Sequence, residues 1–258
     1  MEEGLQAAPD LSVVIPCFNE APDSISRTVQ SVVETVPDAD IILVDDGSEE
    51  PVSPPVIAEA GDDGPDGPTE RLVPLGDVRV IRLDTNRGPA AALNLGYDAA
   101  QRALIARLDV GDVWYPEAKR AQIEAALTVP ASFAASFDEE VGTPTPVRAD
   151  WASRIYTDNQ FQASTTIVDR RVWRALPFDE DLRWCDDWDW HMRVQHLVGW
   201  SRFDAITGTA TCWPTGHNKR VVDEAREAAK RRCRATVYKR GLELAKREWN
   251  GIVPRQGR

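Results

Sequence analysis

The sequence predicts an α/β fold in which a mostly parallel sheet is flanked by helices. The chain has 258 residues, 42% of them hydrophobic, which is enough for a substantial core. A β-branched run at 11–16, a helical pattern and an apolar run at 41–44 follow one another at the spacing of a strand–helix–strand unit. A later apolar run, 104–108, ends in Asp109 and Asp112. Polar groups past the carboxyl end of a buried strand are typical of ligand sites in open α/β sheets.

Hydrophobic periodicity and turn residues place the other elements of the first half. Ser24 is the predicted N-cap of the first helix, which carries an apolar stripe and ends at Pro37. A third strand is predicted at 78–83 and an alanine-rich helix at 90–103. The run at 104–108 is the fourth strand, and Pro116 is predicted to open the next helix, because proline suits the first helical position.

Residues 49–77 are rich in proline, glycine and aspartate. This composition is unsuited to a packed core, so the segment is predicted to be a long acidic surface loop. Regular structure is expected to resume at Val78.

After Pro130 short apolar runs alternate with polar turns. Helices are predicted at 169–176 and 186–197, a strand at 202–213, and a long basic helix at 218–249 with a possible interruption at Gly241. We divide the chain into a first half at 1–130, a second half at 131–216 and a basic C-terminal helix and tail at 217–258.

The net charge of −12 is distributed unevenly. Residues 219–258 hold 13 Lys and Arg against 5 Asp and Glu, or +8, which leaves −20 for the remainder. Such asymmetry predicts that the basic segment contacts an anionic polymer or an anionic membrane surface. A solvated helix face is the alternative.

The chain shows no apolar run of about 18 residues, the length needed to span a membrane. The acidic N-terminus lacks the pattern of a signal peptide, and the four cysteines are widely spaced. We therefore expect a cytoplasmic protein with free thiols.

Asp109 and Asp112 are candidates for sharing a divalent cation, because hard cations prefer oxygen ligands. The alternative is a turn that merely reverses the chain.

Five motifs occur in the order found in one family. They are Ser12-Val-Val-Ile-Pro-Cys-Phe-Asn-Glu20, Ile42-Leu-Val-Asp-Asp-Gly-Ser48, Asn86-Arg-Gly-Pro-Ala-Ala-Ala-Leu-Asn94, Ala106-Arg-Leu-Asp-Val-Gly-Asp-Val-Trp-Tyr-Pro116, and Phe178-Asp-Glu180 running to Asp186-Asp-Trp-Asp-Trp190 and Arg193. With these motifs the chain resembles the family 2 glycosyltransferases over about residues 11 to 200. The resemblance implies the GT-A fold, a Rossmann-like sheet with a smaller acceptor-side subregion. It also implies that 1–130 binds the nucleotide sugar and 131–216 the acceptor.

The resemblance implies roles in donor binding for several residues. Phe18 would stack on the nucleobase, near backbone groups at Pro16. Asp46 would accept a hydrogen bond from the base, Asp45 or Glu20 would serve the base or ribose, and Arg87 would neutralise diphosphate charge. The alternatives are a core aromatic for Phe18, a turn with Gly47 for the two aspartates, and a surface position for Arg87.

Asp109 and Asp112 match the metal-binding motif of the family, with one departure. The common form is D-x-D-D, and Gly111 stands at the third place. The resemblance implies Mn²⁺ or Mg²⁺ held by Asp109, Asp112 or both, with His217 reaching the metal or the diphosphate. Lys219 and Arg220 are further candidates for the diphosphate, and a structural or surface position is the alternative for His217.

Asp187 falls where the family places its catalytic base. Asp186 and Asp189 flank it, and neighbouring like charges raise a carboxyl pKa. Asp186 replaces the more usual glutamate. An acidic first turn that complements the helix dipole is the alternative. Trp151, Trp184 and Trp188 are candidates for an acceptor wall, with core packing as their alternative.

The resemblance implies an inverting enzyme that moves a sugar from a nucleoside diphosphate sugar to a hydroxyl acceptor. The expected acceptor is a glycan or a lipid-linked saccharide. The alternatives are a hydroxymethylated base in DNA and a non-catalytic nucleotide-sugar binder. A nucleotidyltransferase is disfavoured, because 178–193 matches glycosyltransferases.

Overall fold

The computed structural model describes residues 10–64, 67–75, 77–139, 141–145, 147–210 and 224–249, and its main feature is an eight-stranded mixed sheet. Two further strands pair only with each other. The strands are β1 (Leu11–Cys17), β2 (Asp40–Asp45), β3 (Val56–Gly64), β4 (Gly67–Pro74), β5 (Val78–Arg82), β6 (Leu104–Arg107), β7 (Ala131–Asp138), β8 (Thr143–Thr145), β9 (Ile167–Asp169) and β10 (Ser201–Thr209). The main sheet has the order β10-β7-β9-β6-β1-β2-β5, with β8 paired to β7.

The four strands predicted in the first half lie side by side and parallel, as β6-β1-β2-β5. Strand β9 is antiparallel to β6 and β7, and β10 is parallel to β7. Strands from both predicted halves therefore belong to one sheet. The predicted α/β class with a mostly parallel sheet is confirmed.

Alternate residues of the central strands face two separate hydrophobic cores. Val14 and Val44 belong to one core, and Val13 and Leu43 to the other, all fully buried. This period of two follows from the pleat of a β-strand, and burial on both faces explains why the strands are continuously apolar.

Helices cover both faces of the sheet. They are α1 (Pro22–Thr35), α2 (Pro89–Ala99), α3 (Pro116–Ala126), α4 (Trp151–Arg154), α5 (Arg170–Ala175), α6 (Asp186–Leu197) and α7 (Glu224–Trp249). Helices α1 and α3 supply apolar side chains to one core, and α2, α5, α6 and α7 to the other.

Two predicted helix ends were wrong. Helix α1 starts at Pro22 with Ala21 as N-cap, and no side chain caps it. The fixed φ of proline suits this position, so the helix begins two residues before the predicted cap Ser24. Helix α2 ends at Ala99 rather than at residue 103.

The prediction that 49–77 lacks regular structure was also wrong. Strands β3 and β4 form an antiparallel hairpin, with Ile57 opposite Val73 and Ala58 opposite Leu72. The prolines and glycines lie at its ends, at its turn and at a register shift, which leaves two β-prone runs intact.

The elements predicted in the second half largely agree with the structure. Helix α6 matches its predicted range, α5 is one residue shorter at each end, and β10 starts one residue before the predicted strand. Residues 211–223 lie outside the described part of the chain. Helix α7 passes through Gly241 without interruption. In the ranges given above, every helix is too short or too polar to cross a membrane.

Candidate active site

The candidate site lies where the carboxyl ends of β1, β2 and β6 meet at one edge of the sheet. The loops after these strands carry Phe18, Asp46 and Asp109. Because β9 runs antiparallel to β6, the 3₁₀ turn Ala163–Thr165 that precedes it reaches the same edge. There the Ser164 hydroxyl accepts a hydrogen bond from the Asp109 amide at 3.1 Å.

The loop after β1 presents one exposed ring. Phe18 is 40% exposed, so the core alternative does not apply to it. Asn19, next to it, has a left-handed φ of 55°, an uncommon conformation that directs the chain around the loop. Glu20 lines a cavity of about 290 Å³ between this loop and residues 48–52. Pro16 is half-buried in β1.

The two aspartates after β2 have different environments. Asp45 is completely buried and accepts hydrogen bonds from the amides of Ser48 at 2.8 Å and Val52 at 3.2 Å, and from Arg82. Burial alone would raise the Asp45 pKa, but these hydrogen bonds lower it below its usual value. Asp45 therefore holds the loop together, which favours the turn alternative, and its contact with the nucleotide stays a prediction.

Asp46 connects the β2 loop to the segment before α2. It accepts the amide hydrogens of Arg87 at 2.7 Å and Gly88 at 2.8 Å. Burial raises the Asp46 pKa in spite of these hydrogen bonds. The guanidinium of Arg87 pairs with Glu180 at 2.6 Å, where both side chains are about half exposed, so this surface ion pair is weak.

The most connected group at the site is Arg107, the last residue of β6. It makes two hydrogen bonds to the Asp109 carboxylate, at 2.7 and 3.1 Å. On its other side Nη1 lies 3.5 Å from Oδ2 of Asp186, the first residue of α6. Arg107 and Asp186 are both buried, at 8% and 6% exposure. Arg107 thus links the end of β6 to the start of α6.

The charges of this group influence one another. Burial raises the pKa of Asp186 to about 7, against the attraction of Arg107 and together with repulsion from Asp187. Burial alone would lower the pKa of Arg107, but Asp109 and Asp186 raise it above its usual value. The guanidinium therefore stays charged.

Asp187 is the next residue after Asp186, and a chain of two hydrogen bonds holds its carboxylate. Its Oδ2 accepts a hydrogen bond from Nδ2 of Asn159 at 2.9 Å, and Oδ1 of Asn159 lies 3.1 Å from Nδ1 of His191. Because that Asn159 oxygen is an acceptor, His191 donates from Nδ1. Burial lowers the His191 pKa to about 3, which keeps the ring neutral. Cys185, before the helix, has a φ of 60°, the local strain often found at functional sites.

Asp112 is buried and bonded to the 3₁₀ turn that precedes β9. It is 5% exposed, and its Oδ2 accepts the Ser164 hydroxyl hydrogen at 2.5 Å. Thr28 of α1 fixes the loop from below, since its hydroxyl bonds the carbonyl of Asp112 and the amide of Gly111. These contacts favour the turn alternative for Asp112, and its sharing of an ion with Asp109 stays a prediction.

Few of the described side chains at the site could bind a metal ion. Gly111 has a φ of 99°, a backbone conformation that is strained for aspartate, although there is room for a side chain. Among the described residues, no three His, Cys, Asp or Glu side chains cluster as metal ligands. His217, Lys219 and Arg220 lie outside those residues. Asp109, with a side chain 41% exposed, is the accessible carboxylate of the motif.

The predicted tryptophan wall is largely core. Trp188 is 3% exposed, and its indole donates to the carbonyl of Ile155 at 2.7 Å, which favours the core-packing alternative for this residue. Trp151 packs edge-on against Phe133 at 4.7 Å. Trp184 is half-buried.

Sequence reasoning missed Arg107 and Asn159 as site residues. Arg107 had a usable signal, since it is a charge inside an apolar run and a buried charge needs partners. Asn159 lies in a polar stretch and carries no such signal.

The family of the chain follows from a comparison of its sequence. The family model for Glycosyl transferase family 2 matches residues 12–176, and the chain belongs to this family. It is 35% identical over 111 residues to the succinoglycan biosynthesis protein ExoU of Rhizobium meliloti (strain 1021), covering 43% of this chain and 29% of that protein. It is 36% identical over 104 residues to polypeptide N-acetylgalactosaminyltransferase 12 of Mus musculus, covering 39% and 16%. The chain thus spans less than a third of the length of these curated relatives.

Solved structures share the fold. S. aureus TarS 1–349 in complex with UDP-GlcNAc has a TM-score of 0.62 at 16% identity, covering 92% of this chain and 70% of that one. The mannosyltransferase PcManGT from Pyrobaculum calidifontis, in complex with GDP-Man and Mn²⁺, has a TM-score of 0.57 at 14% identity, covering 98% and 77%. These neighbours establish the GT-A fold expected from the motifs.

Proposed function

We propose that the chain transfers a sugar from a nucleoside diphosphate sugar to an acceptor hydroxyl, with inversion at the anomeric carbon and Asp187 as general base. The observation that carries this proposal is the link through Arg107. It brings Asp109, at the end of β6, and Asp186, at the start of α6, to one guanidinium. A donor side and an acceptor side are thereby joined in a single site.

The donor side consists of the loops after β1, β2 and β6. Phe18 offers an exposed ring for stacking on the base, and Glu20 offers a carboxylate for the base or ribose. Asp46 organises the loop between the two and is the candidate acceptor for the base. The neighbour structures whose titles name UDP-GlcNAc and GDP-Man support a nucleoside diphosphate sugar as donor.

The available donor set fits a divalent cation held mainly by the substrate. Mg²⁺-type sites commonly use one or two carboxylates plus phosphate oxygens, and Asp109 supplies one carboxylate. Asp109 would hold Mn²⁺ or Mg²⁺, with His217 as a further candidate. A bound cation supplies Lewis-acid stabilisation of the departing nucleoside diphosphate. The Mn²⁺ named for the PcManGT complex supports this assignment.

The residues of this chain then act on the acceptor. Asp187 accepts the proton of the acceptor hydroxyl while that oxygen bonds to the anomeric carbon and the bond to the diphosphate breaks. Asn159 orients the carboxylate, and neutral His191 orients Asn159. Arg107 holds Asp109 and Asp186 in place.

A saccharide is the acceptor that the relatives favour. Two of them are named for succinoglycan biosynthesis, and both match about the same share of this chain. We therefore propose a hydroxyl of a glycan or of a lipid-linked saccharide.

The test is release of nucleoside diphosphate from UDP-, GDP- and TDP-sugars, with Mn²⁺ or Mg²⁺ and a saccharide acceptor. Asp187→Asn should lower turnover by about 10²–10⁴-fold, because it removes the general base. Donor affinity, measured by calorimetry, should stay unchanged. Asp204→Asn, at a strongly exposed position on β10, is the matched control and should retain full turnover. Normal turnover by Asp187→Asn would remove this residue as base.

A further inference from the structure

Helix α7 is attached to the protein through one face. Val237 is fully buried, and Gly241 lies directly against the backbone of Tyr156. Arg240 pairs with Asp179 at 2.6 Å and with Asp189 of α6 at 3.0 Å. Because Asp189 is itself completely buried, this network fixes the orientation of α7 on the protein.

The opposite face of α7 combines cations with apolar groups. At 100° per residue, Arg231, Arg232, Lys239 and Lys246 all project away from the side that carries Val237. All four are exposed. Between them lie the exposed side chains of Ala235, Tyr238 and Leu242, the last two 42% and 37% exposed.

This outward face is strongly positive. Residues 230–240 contain six Lys and Arg and no Asp or Glu. Lys246 is balanced by Glu243 at 2.7 Å, so the positive character comes from Arg231, Arg232 and Lys239. Exposed cations on one helix face are attracted to anionic lipid headgroups, and Tyr238 and Leu242 add apolar contact area beside them.

The rest of the molecule restricts the choice of partner. The chain outside 219–258 carries −20, which opposes a long polyanion that would follow the surface beyond α7. A flat anionic surface needs contact with the helix face alone. The apolar groups Tyr238 and Leu242 also suit lipid better than a phosphate backbone.

We propose that the outward face of α7 binds an anionic lipid membrane. The middle of α7 lies close to the acceptor side of the site, since Arg234 pairs with Asp158 at 3.7 Å and the next residue, Asn159, holds Asp187. Docking through α7 therefore places Asp187 near the membrane surface. The consequence, that the acceptor is presented at a membrane, rests on the proposed transferase function; membrane binding itself does not.

The test is co-sedimentation with vesicles of equimolar phosphatidylglycerol and phosphatidylcholine, compared with vesicles of phosphatidylcholine alone. Arg231→Glu/Arg232→Glu/Lys239→Glu should weaken binding to the anionic vesicles on the order of 100-fold or more, because each cation contributes near the surface. High salt should likewise weaken the binding of the wild-type protein to the anionic vesicles. Tyr238→Ser/Leu242→Ser should weaken the binding that remains in high salt.

Arg27→Glu/Arg148→Glu/Arg171→Glu reverses three exposed cations outside α7 and is the matched control. Equal binding by the α7 variant and this control would overturn the proposal, as would equal binding to both kinds of vesicle or preferential binding to a DNA duplex. Unchanged circular dichroism verifies folding of each variant. Loss of vesicle binding with normal transfer to a soluble acceptor refutes only the membrane proposal, and vesicle binding without transfer refutes only the transferase.

Discussion

Arg107 shows how one residue can stabilise the fold and organise the site. It neutralises Asp109 and Asp186 from a position that is 8% exposed. Removing one partner of a buried pair leaves an uncompensated charge, which costs about 3–5 kcal/mol. Arg107→Met should therefore lower the free energy of unfolding by up to that amount, measured by urea denaturation above pH 7, where Asp186 is ionised in the wild type.

A double variant separates the effect of the lost charge from the effect of the lost packing. Arg107→Met/Asp186→Asn removes both charges, so most of the lost stability should return in the double variant. Asp186→Asn alone should cost less than Arg107→Met, because Asp109 still pairs with the guanidinium. If the two single effects simply add, Arg107 and Asp186 are not coupled, and the link across the site is wrong.

At the scale of elements, Gly241 has an unusual role in α7. Glycine inside a helix normally costs about 1 kcal/mol relative to alanine. A Cβ at this position would lie 1.9 Å from the carbonyl oxygen of Tyr156, so the close approach of α7 requires glycine. Gly241→Ala should lower the thermal midpoint instead of raising it and should speed amide exchange in α7.

Ala235→Gly, on the exposed face of α7, is the control for that experiment. It should cost only the intrinsic preference of about 1 kcal/mol and leave the contact with Tyr156 intact. A more stable Gly241→Ala variant would show that α7 does not approach Tyr156 this closely.

The central elements were predictable because their signals are local. Four apolar runs with polar ends indicated β1, β2, β5 and β6, and parallel pairing places their carboxyl ends together. The hairpin β3–β4 was missed because composition was averaged over 49–77, although two β-prone runs lie within it. The start of α1 was missed because the fixed φ of Pro22 opens that helix without a side-chain cap.

Candidate site residues could be predicted where they belong to a sequence motif. They were harder to predict where their role depends on contacts between residues far apart in the sequence. The motifs led to Asp109, Asp187 and Phe18, which stay predictions as functional residues. For Trp188 both an acceptor wall and core packing stayed open, because the sequence does not show which face of α6 meets the core. Asp45 and Asp46 are adjacent and chemically identical, and only the partners of their hydrogen bonds distinguish them.

At the scale of the whole molecule, one sheet carries both sides of the site. Strand β6 provides Asp109, and its antiparallel neighbour β9 is preceded by Ser164, which bonds both Asp109 and Asp112. A change at either side is therefore transmitted through rigid strands rather than through a flexible linker. This continuity explains why Asp109 and Asp186, from the two predicted halves, can both lie within ion-pair distance of Arg107.

A buried lysine makes the stability of the whole molecule depend on pH. Lys119 of α3 is completely buried, donates to Oε1 of Gln122 at 3.0 Å and lies 4.7 Å from the ring centre of Trp114. Burial lowers its pKa from 10.5 to about 7. Between these values the unfolded chain binds a proton that the folded chain does not. The free energy of unfolding therefore falls as pH decreases through this window, by up to about 1.4 kcal/mol per pH unit.

Lys119→Met should remove the part of that slope that Lys119 causes, because methionine fills similar space without a titratable group. Burial raises the pKa of the Cys17 thiol from 9.0 to about 12, so both proteins share an opposing slope above pH 9. It should raise the free energy of unfolding near neutral pH by roughly 2 kcal/mol or more, since the cost of burying an amine disappears. Urea denaturation of both proteins across the pH window from 10.5 down to about 7 measures the difference.

The control is Lys246→Met, at an exposed position on α7, which should leave the slope of the free energy of unfolding against pH unchanged. His191 does not interfere, because its pKa shifts from 6.5 to about 3 and its contribution is lost only at lower pH. Parallel curves for the wild type and Lys119→Met would mean that Lys119 keeps an ordinary pKa, and hence that water or an acid reaches it in solution.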